Sequence, residues 1–199
     1  MTEFFELGPG DTCYHIFEYT SRKRYDFSAT NNLISNLKKK PSAAHLPSYK
    51  YKGKAIEQCS AALREVLNPN WLNTGTLIPI PCSKANEHAD YDDRIERICR
   101  GISSAVDVRN IVRQTASTTA SHEAEDGDRL TVDDLLAVYQ IDEAVASPIP
   151  KSIAIVDDVI TAGTHYRAMH TVLTARYPKV PIYGIFVARR VFSDPFEGG

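Results

Sequence analysis

From Lys54 onward, apolar residues recur at the spacing of alternating helices and strands. Ile56, Cys59, Leu63, Val66 and Leu67 fall at helical intervals, and Asn68-Pro69-Asn70 ends that helix. Residues 76–81 form a short apolar run expected to be a strand, followed by a polar loop over 82–90. Ile95, Ile98, Cys99 and Ile102 mark an amphipathic helix with Arg94, Arg97 and Arg100 on its wet side. Residues 108–112 predict a strand. Residues 114–129, rich in Thr, Ser, Ala and acids, show no apolar periodicity and predict a long mobile loop. Thr131-Val132-Asp133-Asp134 fits the cap of a short helix, and 137–141 a further strand. Residues 152–156 read as a buried β-branched strand. Residues 161–178 read as a helix burying Met169, Val172 and Leu173, and 182–188 as the last strand. Strands alternating with helices predict a parallel sheet with helices on its faces. Near-continuous apolar strands agree, since such strands are covered on both sides.

The segment before this pattern differs. Residues 1–54 carry nine Lys/Arg against five Asp/Glu, clustered at Arg22-Lys23-Arg24 and Lys38-Lys39-Lys40 and in the Tyr/Lys run over 49–54. Pro41 and Pro47 interrupt it. The expected division is an N-terminal hood or accessory segment over 1–54 and an α/β core over 55–199. A length of 199 residues fits one domain. A formal charge of −2 excludes a general polycation. No stretch approaches the ~20 apolar residues of a membrane helix. The first residues carry acids where a secretory leader carries basic charge, so a cytoplasmic protein is expected. Cys13, Cys59, Cys82 and Cys99 lack C-x-x-C spacing and are expected to be free thiols.

The chemistry concentrates in Ile153-Ala154-Ile155-Val156-Asp157-Asp158-Val159-Ile160-Thr161-Ala162-Gly163-Thr164-His165. A buried strand leads to two consecutive carboxylates, then a Thr/Gly turn, then a helix. Ligands of parallel sheets bind beyond the carboxyl ends of the strands. A helix N-terminus offers N–H groups and the positive end of a dipole to an anion. Gly163 lets the backbone approach that anion, and Thr161 and Thr164 add hydroxyls. The P-loop pattern is absent. Adjacent strand residues point to opposite faces, so one or both of Asp157 and Asp158 can accept from vicinal hydroxyls. The combination reads as a site for a ribose 5-phosphate group. Helix capping alone would account for an acid near a helix start, but not for the joint pattern.

The segment 156–164, Val-Asp-Asp-Val-Ile-Thr-Ala-Gly-Thr, resembles the 5-phosphoribosyl-1-pyrophosphate (PRPP) motif of type I phosphoribosyltransferases, in the version of the orotate enzymes. The resemblance implies a parallel sheet of about five strands with flanking helices and a small N-terminal hood. It implies that Asp157 and Asp158 hold the ribose hydroxyls, and that Thr161, Ala162, Gly163, Thr164 and His165 hold the 5-phosphate. His165 stands where the family has a small residue. Arg167 occupies the place of a base-contacting arginine. Pro79-Ile80-Pro81-Cys82-Ser83-Lys84 is similar to the region before the pyrophosphate loop in the competence-protein-F-like branch. That makes Ser83 and Lys84 candidate pyrophosphate donors, with Arg94 and Arg129 further ones and His122 near them. Mg²⁺ is implied mainly through PRPP itself, with Asp157 or Asp158 as a protein ligand. The catalytic set so implied is Asp157, Asp158 and Lys84. Neither the four-cysteine zinc module of that branch nor the lysine-rich loop of the orotate enzymes is present, and orotate is not carried over as substrate.

Three functions stay open at this point. One is transfer of ribose 5-phosphate to a nitrogen nucleophile with release of pyrophosphate. Another is PRPP or nucleotide sensing without turnover. The last is a nucleic-acid-linked competence or defence role through the basic, tyrosine-bearing segment 1–54. A homodimer is expected by analogy with type I members, and no membrane partner is expected.

Overall fold

Five strands run side by side with one polarity. The computed structural model describes residues 6–85, 87–118 and 130–192. The chain passes through strand β1 (Cys13–Thr20), helices α1 (Ala29–Leu37), α2 (Lys50–Val66) and the single turn α3 (Pro69–Leu72), then strand β2 (Thr76–Pro79) and helix α4 (Arg94–Ile102). Strands β3 (Asp107–Val108) and β4 (Val112–Gln114), helix α5 (Val132–Val138), strands β5 (Tyr139–Ile141) and β6 (Ile153–Ile160), helix α6 (Thr164–Arg176) and strand β7 (Ile182–Val191) complete it. The main sheet has the order β1-β7-β6-β2-β3, every pairing parallel, and β4–β5 form a separate antiparallel pair. This is an α/β fold with a five-stranded parallel sheet flanked by helices, consistent with a type I phosphoribosyltransferase-like arrangement.

Strand β6 sits at the centre, and its alternation builds two cores. Ala154 and Val156 pack with Leu63, Cys59, Ile98 and Ile102 of α2 and α4. Ile153 and Ile155 pack on the other face with Met169 and Leu173 of α6 and with Leu135 of α5. Local signals fix the helix starts. Ser28 Oγ accepts from the Asn31 amide at 3.0 Å, and Thr131 with Asp134 forms a capping box at α5.

The N-terminal segment belongs to the sheet. Strand β1 pairs along its length with β7, because Ile16, Phe17 and Tyr19 need the same apolar cover as the central strands. Buried Asn31 joins β1 to α1, accepting from Thr20 N at 3.2 Å and donating to Thr20 O at 2.9 Å. The 1–54 segment expected as a hood or accessory thus contributes an edge strand and a helix to the α/β core.

Other expectations shift in detail. The strand expected over 108–112 divides between two sheets. Arg109 donates from Nε to Asp107 Oδ1 at 2.9 Å and from Nη1 to Pro148 O at 2.6 Å, and Asn110 donates to Glu96 at 2.7 Å. These side-chain ties turn the chain between β3 and β4. Of the strand expected over 137–141, Ala137 and Val138 end α5 instead. The strand expected over 152–156 runs on to Ile160, since Asp157, Val159 and Ile160 keep register with Phe186, Ala188 and Arg189 of β7. The two acids therefore lie within a strand rather than beyond its end. Of the loop expected over 114–129, residues 119–129 lie outside the described residues. Among the described residues no helix is long and apolar enough to cross a membrane.

Gly184 marks the tightest point of β7. A Cβ there would stand 2.7 Å from Cys13 Sγ and 2.8 Å from Phe186. Overpacking of this kind costs about 1–3 kcal/mol, so Gly184→Ala should lower Tm by about 5 °C. An unchanged melting curve would contradict the described packing.

Candidate functional site

The two aspartates on β6 have different surroundings because the strand turns them to opposite faces. Asp158 is 3% exposed and faces the α1–α2–α4 side. Arg94, at the start of α4, donates from Nε and Nη2 to Asp158 Oδ2 at 3.0 and 2.7 Å. Lys38 Nζ, at the end of α1, lies 3.4 Å from Asp158 Oδ1. Burial alone would push this carboxyl up, but Lys38 and Arg94 outweigh it and hold Asp158 well below the usual carboxylate range.

The network continues inward. Arg94 Nη1 donates to Asp92 Oδ2 at 2.9 Å. Lys52, 1% exposed, donates to the same Asp92 oxygen at 2.7 Å and to the carbonyls of Leu37 and Lys39 at 2.7 and 2.8 Å. Lys52 thereby fixes the chain on both sides of Lys38. A buried lysine is tolerable only with its donors satisfied in this way.

Asp157 faces the α6 side. Burial and the neighbouring charge of Asp158 push its carboxyl up to about 7, against the pull of Arg94. Its Oδ1 accepts from the Asp158 amide at 2.8 Å. It opens on a cleft of about 140 Å³ lined by Thr161, Ala162, Gly163, Thr164 and His165. Gly163 has φ +94°, which favours glycine, and it caps α6, which begins at Thr164. The first turn of that helix directs N–H groups without intrahelical partners toward the loop. His165 Nδ1 meets Tyr139 Oη at 3.0 Å, and burial pulls the imidazole down to about 4, so it is neutral at physiological pH. Asp157, Thr161, Ala162, Gly163, Thr164 and His165 are thus brought together around one cleft.

Other expected site residues stand elsewhere. Arg94 is held by two carboxylates rather than open to a ligand. Arg167 donates from Nε to Glu6 O at 2.8 Å and from Nη2 to Asp11. It binds segment 6–11 against the loop, where Glu6 N donates to Ala162 O at 3.2 Å and Leu7 packs over Gly163. Lys84 lines a separate cleft of about 170 Å³ with Arg113, Tyr91 and Asp92. Ser83 uses its carbonyl to accept from Gln114 Nε2 at 2.9 Å and from Thr118 N at 2.8 Å. Arg129 and His122 lie outside the described residues.

Sequence reading missed Lys38, Lys52, Asp92 and Tyr139. The basic run 38–40 was legible, but its reach to Asp158 depends on where α1 ends. Asp92 precedes Arg94 by two residues, and nothing in that spacing discloses a shared buried lysine. Among the described residues no group of three or more His, Cys, Asp or Glu converges as a metal site. With Asp158 occupied by Arg94 and Lys38, the donor set fits a cation that arrives already chelated by its ligand, with Asp157 as the available carboxylate. Comparison of the chain with protein-family models and with curated proteins finds no match.

The inequality of the two acids has opposite consequences for stability. Folded Asp157 keeps its proton up to about pH 7, whereas an unfolded aspartate loses it near pH ~4. Over that interval the native state binds more protons, so this group's contribution to stability falls as pH rises. Asp158, held low, contributes above the ordinary carboxylate range and loses that contribution as pH falls through and below it. Asp157→Asn should therefore raise Tm at pH 8, with the gain shrinking toward pH 5. Asp158→Asn should destabilise at pH 8 by about 3–5 kcal/mol, because it strands Arg94. Thermal melts of both variants at the two pH values check this; equal shifts would refute the division.

Proposed function

We propose that the chain binds PRPP with Mg²⁺ and transfers its ribose 5-phosphate group to a nitrogen nucleophile, releasing pyrophosphate. The observation that carries this reading is one cleft that joins the Thr/Gly loop and the start of α6 to the carboxyl of Asp157. The left-handed Gly163 and the start of α6 form its loop side, and Asp157 lies beside it on the central strand. The N–H groups of the loop and of the first helical turn would hold the 5-phosphate. Ionised Asp157 would accept from a ribose hydroxyl and keep negative charge near C1 as the C1–O bond to pyrophosphate breaks and the ring gains oxocarbenium character. The nitrogen lone pair then forms the new bond at C1. Asp158 keeps Arg94 and Lys38 in place behind the strand and shapes the field at Asp157. Lys84, which follows the strand paired with β6, is the candidate to stabilise the leaving pyrophosphate; a well-placed donor can contribute about 3 kcal/mol. Bound Mg²⁺ would neutralise pyrophosphate charge. The unpaired thiols Cys13, Cys59, Cys82 and Cys99 suit a reducing, cytoplasmic compartment.

A second reading, binding of PRPP without turnover, is favoured by Arg94, whose guanidinium serves Asp158 and Asp92 instead of a ligand. Pyrophosphate release on addition of a nucleobase would separate the two.

The direct test is thermal melting with PRPP and Mg²⁺, with ribose 5-phosphate and pyrophosphate as controls. A hundredfold excess over Kd stabilises by about 2.7 kcal/mol, equivalent to a Tm rise of about 5–10 °C. Gly163→Val should abolish the rise, because its backbone conformation and the contact with Leu7 admit no branched side chain. Absence of any rise with millimolar PRPP would overturn the proposal.

A further inference from the structure

The opposite end of the sheet carries a further cleft, unlike those at Asp157 and Lys84 in chemistry. Helix α1 has nine residues and covers about 14 Å. Strand β7 has ten and extends about 33 Å. Helix α1 packs on β1 and ends at Lys38 beside Asp158, so it covers only part of the β1–β7 face. The N-terminal part of that face opens into a cleft of about 590 Å³. Tyr14 and Tyr183 contribute from the strands, Val66 and Leu67 from the end of α2, Trp71 from α3, and Ala154 lies on the sheet between them.

Three features favour a small ligand. The volume is that of a site for one drug-sized molecule, and its lining is mainly apolar and aromatic with few polar groups. Trp71 is pre-positioned: its indole lies against Gly75, where a Cβ would stand 2.5 Å from the ring. Tyr14 is 58% exposed and Val66 60% exposed at the mouth, which leaves an entry. Tyrosine and tryptophan faces favour offset stacking with a flat partner. We infer that this cleft binds a flat aromatic or heteroaromatic small molecule, independently of the phosphate loop.

Trp71 is the single tryptophan of the chain, so its fluorescence reports on the cleft directly. Full-length protein is titrated with the neutral aromatic probe N-phenyl-1-naphthylamine, and sedimentation equilibrium is run in parallel. The expected result is saturable one-to-one binding that quenches Trp71. Affinity should fall at least tenfold both in Val66→Glu, which places a carboxylate at the exposed mouth, and in Tyr14→Ser/Tyr183→Ser. Melting curves establish that each variant is folded, and the exposed position of Val66 keeps the test valid if the double variant is not. Unquenched Trp71, or quenching unaltered by Val66→Glu, would overturn the inference. So would a dimer in which Trp71 is shielded from the probe, which would make a second copy the occupant. PRPP-dependent stabilisation should be unchanged in Val66→Glu, so failure at one site leaves the reading of the other intact.

Discussion

The contact between Arg94 and Asp158 is the constraint around which the candidate site is arranged. Two adjacent carboxylates on a buried central strand repel each other and lose hydration together. Arg94 resolves this for one of them with two charge-assisted hydrogen bonds to a single oxygen. The cost passes along the network: Arg94 needs Asp92, and Asp92 needs the ammonium of Lys52. Each member is satisfied only while the others stay in place. The result is an ionised Asp158 neutralised behind the strand and, in front of it, a carboxyl pushed up by burial and by its neighbour's charge.

That arrangement explains why the acids are not interchangeable despite identical chemistry. Asp157 shares its face with Ile153 and Ile155 and lines the cleft of the Thr/Gly loop; Asp158 shares its face with Ala154 and Val156 and meets two cations, Lys38 and Arg94. Single-residue parity on β6 assigns the roles. A register slip of one residue would exchange them and send both apolar sets to the wrong core. The register is held by parallel neighbours on both sides, β2 and β7.

The central strands, α2, α4, α6 and the Thr/Gly loop were legible in the sequence because periodicity and turn chemistry are local. Ile95, Ile98, Cys99 and Ile102 announce a buried helix face whatever they pack against. The partners of Arg94 and Arg167 were not legible. Arg94 bonds across 64 positions to Asp158, and Arg167 across 156 to Asp11; such pairs depend on sheet order, which spacing does not encode. For β1 the obstacle was composition. Basic residues at 22–24 and 38–40 disguise a strand and a helix whose apolar positions, Ile16, Phe17, Ile34 and Leu37, are few but well placed.

The short α1 serves one end of the sheet. Its nine residues bring Lys38 over the acidic strand and stop there, anchored by the carbonyl contacts of Lys52 at Leu37 and Lys39. Both of its ends lie over the carboxyl end of the sheet, where Asn31 bonds Thr20 at the end of β1 and Lys38 reaches Asp158 near the end of β6. A helix so placed completes the charge network and leaves the far part of the β1–β7 face open. The placement of α1 thus sets the electrostatics of one end of the sheet, while the cleft at the other is shaped by the end of α2 and by Trp71.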